Sequence, residues 1–282
     1  MAVLMDGTAA ARTVKDEVLR RARALRERGT VPRLAVILAG DDPASEIYVK
    51  HKMRECGECG IDGTTHRLPG DIRQDELLAL IAGLNADPEI HGILLQHPYP
   101  PHIDSFAVRC AISPVKDVDS LHPENAGLIS HDRPRFLPGT PAGIMMLLDQ
   151  YGVALSGKHC VIINRTHIVG KPLAQLMLAR DATVTVCHSR TADLASFTRQ
   201  ADILICAAGR LRMISGAMVK PGAVVVDVGV NKKPDGKLAG DVCFEETEPV
   251  ASYITPVPGG VGPMTRAVLL ENTVRAAERA AP

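Results

Sequence analysis

Apolar residues recur along the chain in two registers that alternate with each other. Over residues 8–28, Ala9, Val14, Val18 and Leu25 are spaced by charged positions, the period of an amphipathic helix, and Gly29 supplies its stop. The unbroken apolar run 34–39 reads as a buried strand. Gly40-Asp41-Asp42-Pro43 then reads as a turn into a helix carrying Ile47, Tyr48, Lys52 and Met53. A strand at 64–68, a helix at 75–85 and a strand at 92–95 complete this series. The strands are rich in Val, Ile and Leu without polar alternation and are separated by helices, which predicts a parallel sheet covered on both faces.

Residues 113–141 are rich in Pro, Asp, Gly and His and lack any sustained period, so a long loop region is expected. A helix at 141–151 opens a second series: strand 160–163, helix 171–180, strand 183–187, helix 193–200, and strands 203–207 and 224–228. This half has the pattern of a dinucleotide-binding domain. A segment dense in Pro and Gly, Pro256 through Pro263, precedes a last amphipathic helix, 264–281.

Composition narrows the function. The 282 residues carry 32 Lys plus Arg against 32 Asp plus Glu, so there is no basic field for gripping a phosphate backbone. Aromatic residues are 3% and Trp is absent, which removes the stacking platform of a single-strand binder. A nucleic-acid partner is not expected; a small-molecule substrate is. The first residues lack a charged segment followed by an apolar core, and no apolar run approaches the ~20 residues that span a bilayer, so a cytoplasmic protein without a membrane partner is expected. Of the seven cysteines, Cys56 and Cys59 form a Cys-x-x-Cys pair, but no second pair at zinc-site spacing follows. Helix packing is the preferred reading, with no metal and no disulfide.

Tyr48 and Lys52 stand four residues apart, neighbours on one helical face. The spacing alone fits a solvated pair as well as a site, because a lysine becomes an acid/base only when desolvation or a nearby cation lowers its pKa towards neutrality. The context adds more. Gly40-Asp41-Asp42-Pro43-Ala44-Ser45-x-x-Tyr48-Val49-x-x-Lys52 resembles the signature of the methylenetetrahydrofolate dehydrogenase/cyclohydrolase family. Gly92 through Gln96 with Pro98 and Pro100, Lys116-Asp117-Val118-Asp119, Asn125-x-Gly127, Thr140-Pro141-x-Gly143 and Pro256 through Thr265 follow in the family's order. The resemblance extends over essentially the whole chain.

It implies an α/β fold of two domains with a cleft between them, the second a Rossmann-like parallel sheet. The expected division is 1–138, rejoined by the C-terminal helix 264–282, and 139–263. It implies NADP-dependent oxidation of 5,10-methylenetetrahydrofolate followed by hydrolysis to 10-formyltetrahydrofolate. Lys52 would be the acid/base of hydrolysis, Tyr48 would lie beside it over the folate, Gln96 would hold Lys52, and Asp119 would accept hydrogen bonds from the amino-pyrimidine edge. An ionised carboxylate is acceptor-only and matches a donor edge, and an amide can hold a lysine without adding charge. Leu95, His97 and the loop Pro258, Gly259, Gly260, Val261 and Gly262 complete the implied substrate site. A homodimer is implied as well.

The segment Ile162 through Pro172 lies between a strand and a helix, where a dinucleotide phosphate meets backbone N–H groups and the positive helix end. The family has Gly where this chain has Asn164, which of the larger residues best tolerates a left-handed turn. No acidic residue ends the next strand. His188-Ser189-Arg190-Thr191 offers hydroxyls and a cation there, with Arg165 on the first loop, so NADP is favoured over NAD. The resemblance assigns Arg165, Thr166, Ser189 and Val230 to the cofactor, beside Asn164 and Arg190.

His97, Tyr99, Ser120, Gly139, Asn164 and Leu211 depart from the common family pattern. They leave two other readings in play. One is a paralogue that keeps only the cyclohydrolase step or carries out another folate one-carbon reaction. The other is a catalytically silent folate or nucleotide binder, against which the joint presence of Tyr48, Lys52, Gln96 and Asp119 counts.

Overall fold

The computed structural model describes residues 1–281, the side chain of Ala44 excepted. In chain order its elements begin with β1 (Val3–Leu4), α1 (Gly7–Glu27), β2 (Arg33–Ala39), α2 (Pro43–Glu58), β3 (Asp62–Leu68), α3 (Gln74–Ala86), β4 (Gly92–Leu95), α4 (Ser105–Ala111) and α5 (Pro123–Ser130). They continue with α6 (Gly139–Gln150), β5 (His159–Ile163), α7 (Gly170–Leu178), β6 (Thr183–Cys187), α8 (Leu194–Thr198), β7 (Ile203–Cys206) and β8 (Val224–Asp227). β9 (Asn231–Lys232), β10 (Leu238–Ala239), α9 (Phe244–Thr247), β11 (Tyr253–Ile254) and α10 (Val261–Ala280) close the chain. Two compact units result, one built from residues 13–137 with those from Arg266 onward, the other from Met1–Arg12 with Pro138–Thr265.

The first unit holds a parallel three-stranded sheet in the order β3-β2-β4. The apolar run of β2 conceals a period of two. Leu34, Val36 and Leu38 enter one core with residues of α1, α2 and α10, while Ala35 and Ile37 enter another with residues of α3 and α4. Burying each large side chain contributes ~1.5–3 kcal/mol, and covering both faces is what a strand without polar alternation requires. Cys56 and Cys59 lie in the first of these cores, their thiols pushed up to about 12 and about 11 by burial. Thiols so disfavoured as thiolates are inert packing groups.

Three helices of this unit converge on one buried carboxylate. Glu55 of α2 is 3% exposed and meets Lys15 Nζ of α1 at 2.8 Å and Arg266 Nε of α10 at 3.1 and 3.0 Å. The expected loop over residues 113–141 is corrected by α5. Pro123 sits at its first helical position and His122 Nδ1 accepts from Glu124 N at 3.0 Å. Its eight residues bury only Asn125 and Ile129, too little apolar repetition to announce a helix.

The second unit contains a six-stranded, wholly parallel sheet in the order β1-β11-β8-β7-β5-β6, and a separate β10-β9 hairpin. Residues 1–12 were expected in the first unit and belong here instead. β1 pairs with β11, Val3 opposite Tyr253 and Leu4 opposite Ile254, and Thr8 N donates to Gly259 O at 3.1 Å. A strand of two residues is too short to carry a readable period, which is why its pairing was invisible in the sequence.

Removing one partner of a buried ion cluster strands the others, so Glu55→Ala is expected to cost about 3–5 kcal/mol of unfolding free energy. Urea unfolding followed by circular dichroism measures this; a loss under about 1 kcal/mol would show that the cluster is energetically neutral.

Candidate active site

The Gly40–Ser45 motif is the entry to α2. Gly40 has φ +94°, Asp42 Oδ2 caps Ser45 N at 2.8 Å, and Pro43 opens the helix. The helix then presents Tyr48, Lys52 and Cys56 one turn apart: Tyr48 exposed, Lys52 half-buried, Cys56 in the core. Lys52 Nζ donates to Gln96 Oε1 at 2.8 Å. Gln96 follows β4, and its backbone N–H to Ile37 O at 2.8 Å continues the ladder with β2. Its Nε2 donates to His97 O at 2.6 Å, which orients the amide with its oxygen towards the lysine. Leu95 is the half-buried last residue of β4, and exposed His97 meets Tyr99 edge-on at 5.2 Å. These groups lie beyond the carboxyl ends of β2 and β4, where open parallel sheets bind ligands.

Burial lowers the Lys52 pKa; Asp119 opposes that shift and Arg266 adds to it. Burial likewise pushes Asp119 up to about 6, with Lys52 pulling it back and Asp117 reinforcing the rise. Lost solvation displaces both pKa values, and the attraction between the two groups opposes each displacement. The segment that presents Asp119 is fixed on every side. Lys116 Nζ caps the end of α3 through Leu84 O, Asn85 O and Asp87 O at 3.1, 2.9 and 2.6 Å. Asp117 Oδ2 accepts from His122 N and Asn125 Nδ2, both at 2.8 Å, and Asn272 of α10 donates to Val118 O at 2.8 Å. Ser120 adopts φ +58°, a left-handed turn that costs a non-glycine residue about 1 kcal/mol, and its hydroxyl donates to Phe136 O at 3.0 Å.

In the other unit, a cavity of about 560 Å³ opens at the carboxyl ends of β5, β6 and β7. It lies where the chain order reverses, because β5 is flanked by β6 on one side and β7 on the other. Of the residues expected there, Asn164, Arg165 and Ser189 line it. Exposed Arg190 is beside the lining residues Ser189 and Thr191, while Val230 is exposed on the turn after β8. Thr166 has its N–H and hydroxyl both directed to Asn164 Oδ1, at 2.8 and 2.7 Å. His188 and Thr191, from the segment that offers hydroxyls and a cation, also line the cavity, as do Ala207, Ala208 and Arg210, which were not singled out in the sequence. Two arginines, hydroxyls and no carboxylate make a lining suited to a phosphorylated ribose rather than a bare diol.

Asn164 does not occupy a left-handed conformation, so the tolerance that its type offers is not used. Its side chain is instead a hub: Nδ2 donates to Ala207 O at 2.6 Å, and Oδ1 accepts from Gly170 N at 3.0 Å besides Thr166. The glycine demanded by close approach is Gly170, where a Cβ would stand 2.0 Å from Asn164 O.

The loop carrying Arg210 is shaped by a residue that sequence reasoning missed. Fully buried Asp241 accepts from Ala208 N, Gly209 N and Arg210 N at 2.6, 3.0 and 2.7 Å. Its own N–H donates to Asp227 Oδ1 at 2.9 Å, and Asp227, pushed up to about 6 by burial, also accepts from Gly229 N and Val242 N. A Cβ on Gly229 would stand 2.2 Å from the Asp241 carboxylate, and one on Gly240 1.8 Å from that of Asp227. Those flanking glycines were the available signal.

The loop Pro258–Gly262 belongs to this same unit. Gly259 has φ +106°, and Gly7 at the start of α1 packs so closely that a Cβ would stand 1.7 Å from Gly260 O. Val261 and Gly262 already form the first turn of α10. Among the described residues no cluster of His, Cys, Asp and Glu is arranged to hold a metal ion, and no helix is long and apolar enough to cross a membrane.

Comparison with known proteins covers both units. Residues 5–119 match the tetrahydrofolate dehydrogenase/cyclohydrolase catalytic domain, and residues 138–281 match the tetrahydrofolate dehydrogenase/cyclohydrolase NAD(P)-binding domain. The chain is 54% identical over 280 residues to the bifunctional protein FolD of Variovorax paradoxus, covering 99% of each. The bifunctional methylenetetrahydrofolate dehydrogenase/cyclohydrolase of Campylobacter jejuni superimposes with TM-score 0.98 at 49% identity, covering 99% of each chain. The Trypanosoma brucei enzyme, solved in complex with NADP and an inhibitor, gives TM-score 0.94 at 39% identity over 99% of this chain and 98% of its own.

Proposed function

The chain belongs to the tetrahydrofolate dehydrogenase/cyclohydrolase family, and on that premise we infer which of its residues carry each reaction. It is a bifunctional enzyme that oxidises 5,10-methylenetetrahydrofolate to 5,10-methenyltetrahydrofolate with NADP and hydrolyses the product to 10-formyltetrahydrofolate. The observation that carries the assignment of roles is the Lys52 to Gln96 hydrogen bond of 2.8 Å, made by a lysine that burial has moved towards neutrality.

Bound NADP supplies the acceptor for the hydride that leaves the methylene carbon. The resulting methenyl group is a cation, and a cation near Lys52 lowers its pKa further. The neutral amine then takes a proton from the water that attacks the methenyl carbon, and the ammonium returns it to the ring nitrogen as that C–N bond opens, while the remaining hydroxyl proton leaves to solvent and the formyl C=O forms. Gln96 keeps the amine on station. Asp119 accepts from the amino-pyrimidine edge, and Tyr48, Leu95, His97 and the loop Pro258, Gly259, Gly260, Val261 and Gly262 complete the folate contacts. Arg165 and Ser189, with Asn164, Thr166, Arg190 and Val230, serve the cofactor; the cationic, carboxylate-free lining of the cavity supports NADP over NAD.

Lys52→Ala is expected to slow hydrolysis of the methenyl compound at least about 100-fold, followed by its absorbance, while NADP binding measured by fluorescence titration is retained. An unchanged rate would remove Lys52 from the mechanism.

Asp119 gives a pH signature. Its carboxylate accepts hydrogen bonds only when ionised, and burial raises its pKa to about 6. As pH falls through that value the acceptor is lost, so KM for the folate should climb towards about tenfold per unit below it, and Asp119→Asn should abolish the dependence. A KM that is flat across about pH 5–7 in the wild type would rule out this role. On the same reading the enzyme is a cytoplasmic homodimer; sedimentation showing only monomer at working concentration would remove that assignment.

A further inference from the structure

The start of α7 is the place where a parallel α/β unit usually offers backbone N–H groups to a dinucleotide phosphate. Here those donors are already taken. Thr166 N and Gly170 N donate to Asn164 Oδ1 at 2.8 and 3.0 Å, and Val169 N donates to Thr166 Oγ1 at 3.2 Å. Lys171 N donates to Thr166 O at 2.9 Å, Pro172 has no N–H, and Leu173 N returns to Val169 O at 3.0 Å as an ordinary helical bond. From Val169 to Leu173 every backbone donor is satisfied within the loop.

The same carboxamide also spans the crevice at the switch point. Asn164 Nδ2 reaches from the end of β5 to Ala207 O, just past the end of β7, at 2.6 Å. Behind it the backbone is pressed tight, with Gly170 so near Asn164 O that even a methyl group would overlap it. An anion seeking the Gly170 N–H would have to displace Oδ1 and with it the bond to Ala207. The anion-binding groups that remain lie elsewhere in the cavity: Arg165, Arg210, Ser189 and Thr191.

We propose that Asn164 limits how tightly the diphosphate of the dinucleotide is held. Its carboxamide oxygen stands where a phosphate oxygen would otherwise cap α7, so the diphosphate gains little there and affinity rests on the 2′-phosphate. This rests on the chain binding NADP as proposed above; the diphosphate is common to NADP and NAD, so Asn164 weakens both alike and the preference for NADP rests on the arginines.

Two measurements test it. Amide hydrogen exchange on the wild-type protein should show Gly170 and Lys171 protected without cofactor and essentially unchanged at saturating NADP; a rise in protection of about tenfold or more would overturn the proposal. Calorimetric titration of Asn164→Gly with NADP and NAD should show both tightening by a similar factor, about tenfold, with the ratio of the two dissociation constants unchanged. A folded variant that binds neither dinucleotide more tightly would overturn it too. The exchange experiment needs no variant and decides the matter even if Asn164→Gly does not fold. Should the wild-type protein bind neither dinucleotide, it is the assignment of the cofactor that fails, an outcome separate from both.

Discussion

Parallel strand pairing is the constraint on which the rest of this structure depends. A parallel strand can be reached only by a crossover, so every strand leaves its chemistry-bearing loop at the same end of the sheet. In the first unit that rule brings the turn after β2 and the residue after β4 together, and Gln96 comes to hold Lys52 because its own amide is still paired with Ile37. In the second it gathers the ends of β5, β6 and β7 around one cavity. The two sites are solutions to the same topological problem with different side chains.

Both sites are also built on buried carboxylates that hold backbone rather than substrate. Asp117 fixes the segment that ends in Asp119, and Asp241 fixes the one that ends in Arg210. Such groups are costly unless their lone pairs are filled by N–H donors, and here successive backbone amides fill them. The pair at Lys52 and Asp119 differs in kind. It is left incompletely compensated, with both pKa values displaced by burial, and that incompleteness gives it chemistry.

Much of this was legible in the residues. The apolar runs located β2, β4, β5, β7 and β8 because strands buried on both faces have no polar positions to blur them. The family motifs turned out to be mostly architectural: Asn125 ties Pro114 O to Asp117, and Gly143 lets α6 approach Met264, where a Cβ would meet that side chain at 2.9 Å. What escaped was of two kinds. β1, β11 and α5 are too short to repeat a pattern, and they exist because a long-range partner or a proline start stabilises them. Asp227 and Asp241 sit in ordinary-looking sequence, and their role emerges only when the chain has brought three separate loops into hydrogen-bond range. Asn164 was legible as a departure, yet its effect was not, since nothing in its type reveals that its side chain turns inward.

The closeness of Gly229 and Gly240 to those two carboxylates restricts how this protein can diverge. Neither glycine can acquire a side chain while Asp227 and Asp241 remain in place, and neither aspartate can leave without abandoning the amides it holds. The four positions therefore drift together or not at all, a small block of mutual epistasis beside the cofactor cavity. Between its members the turn from Lys233 to Gly236 projects with no such coupling, so it is there that insertions and lineage-specific sequence have room to accumulate.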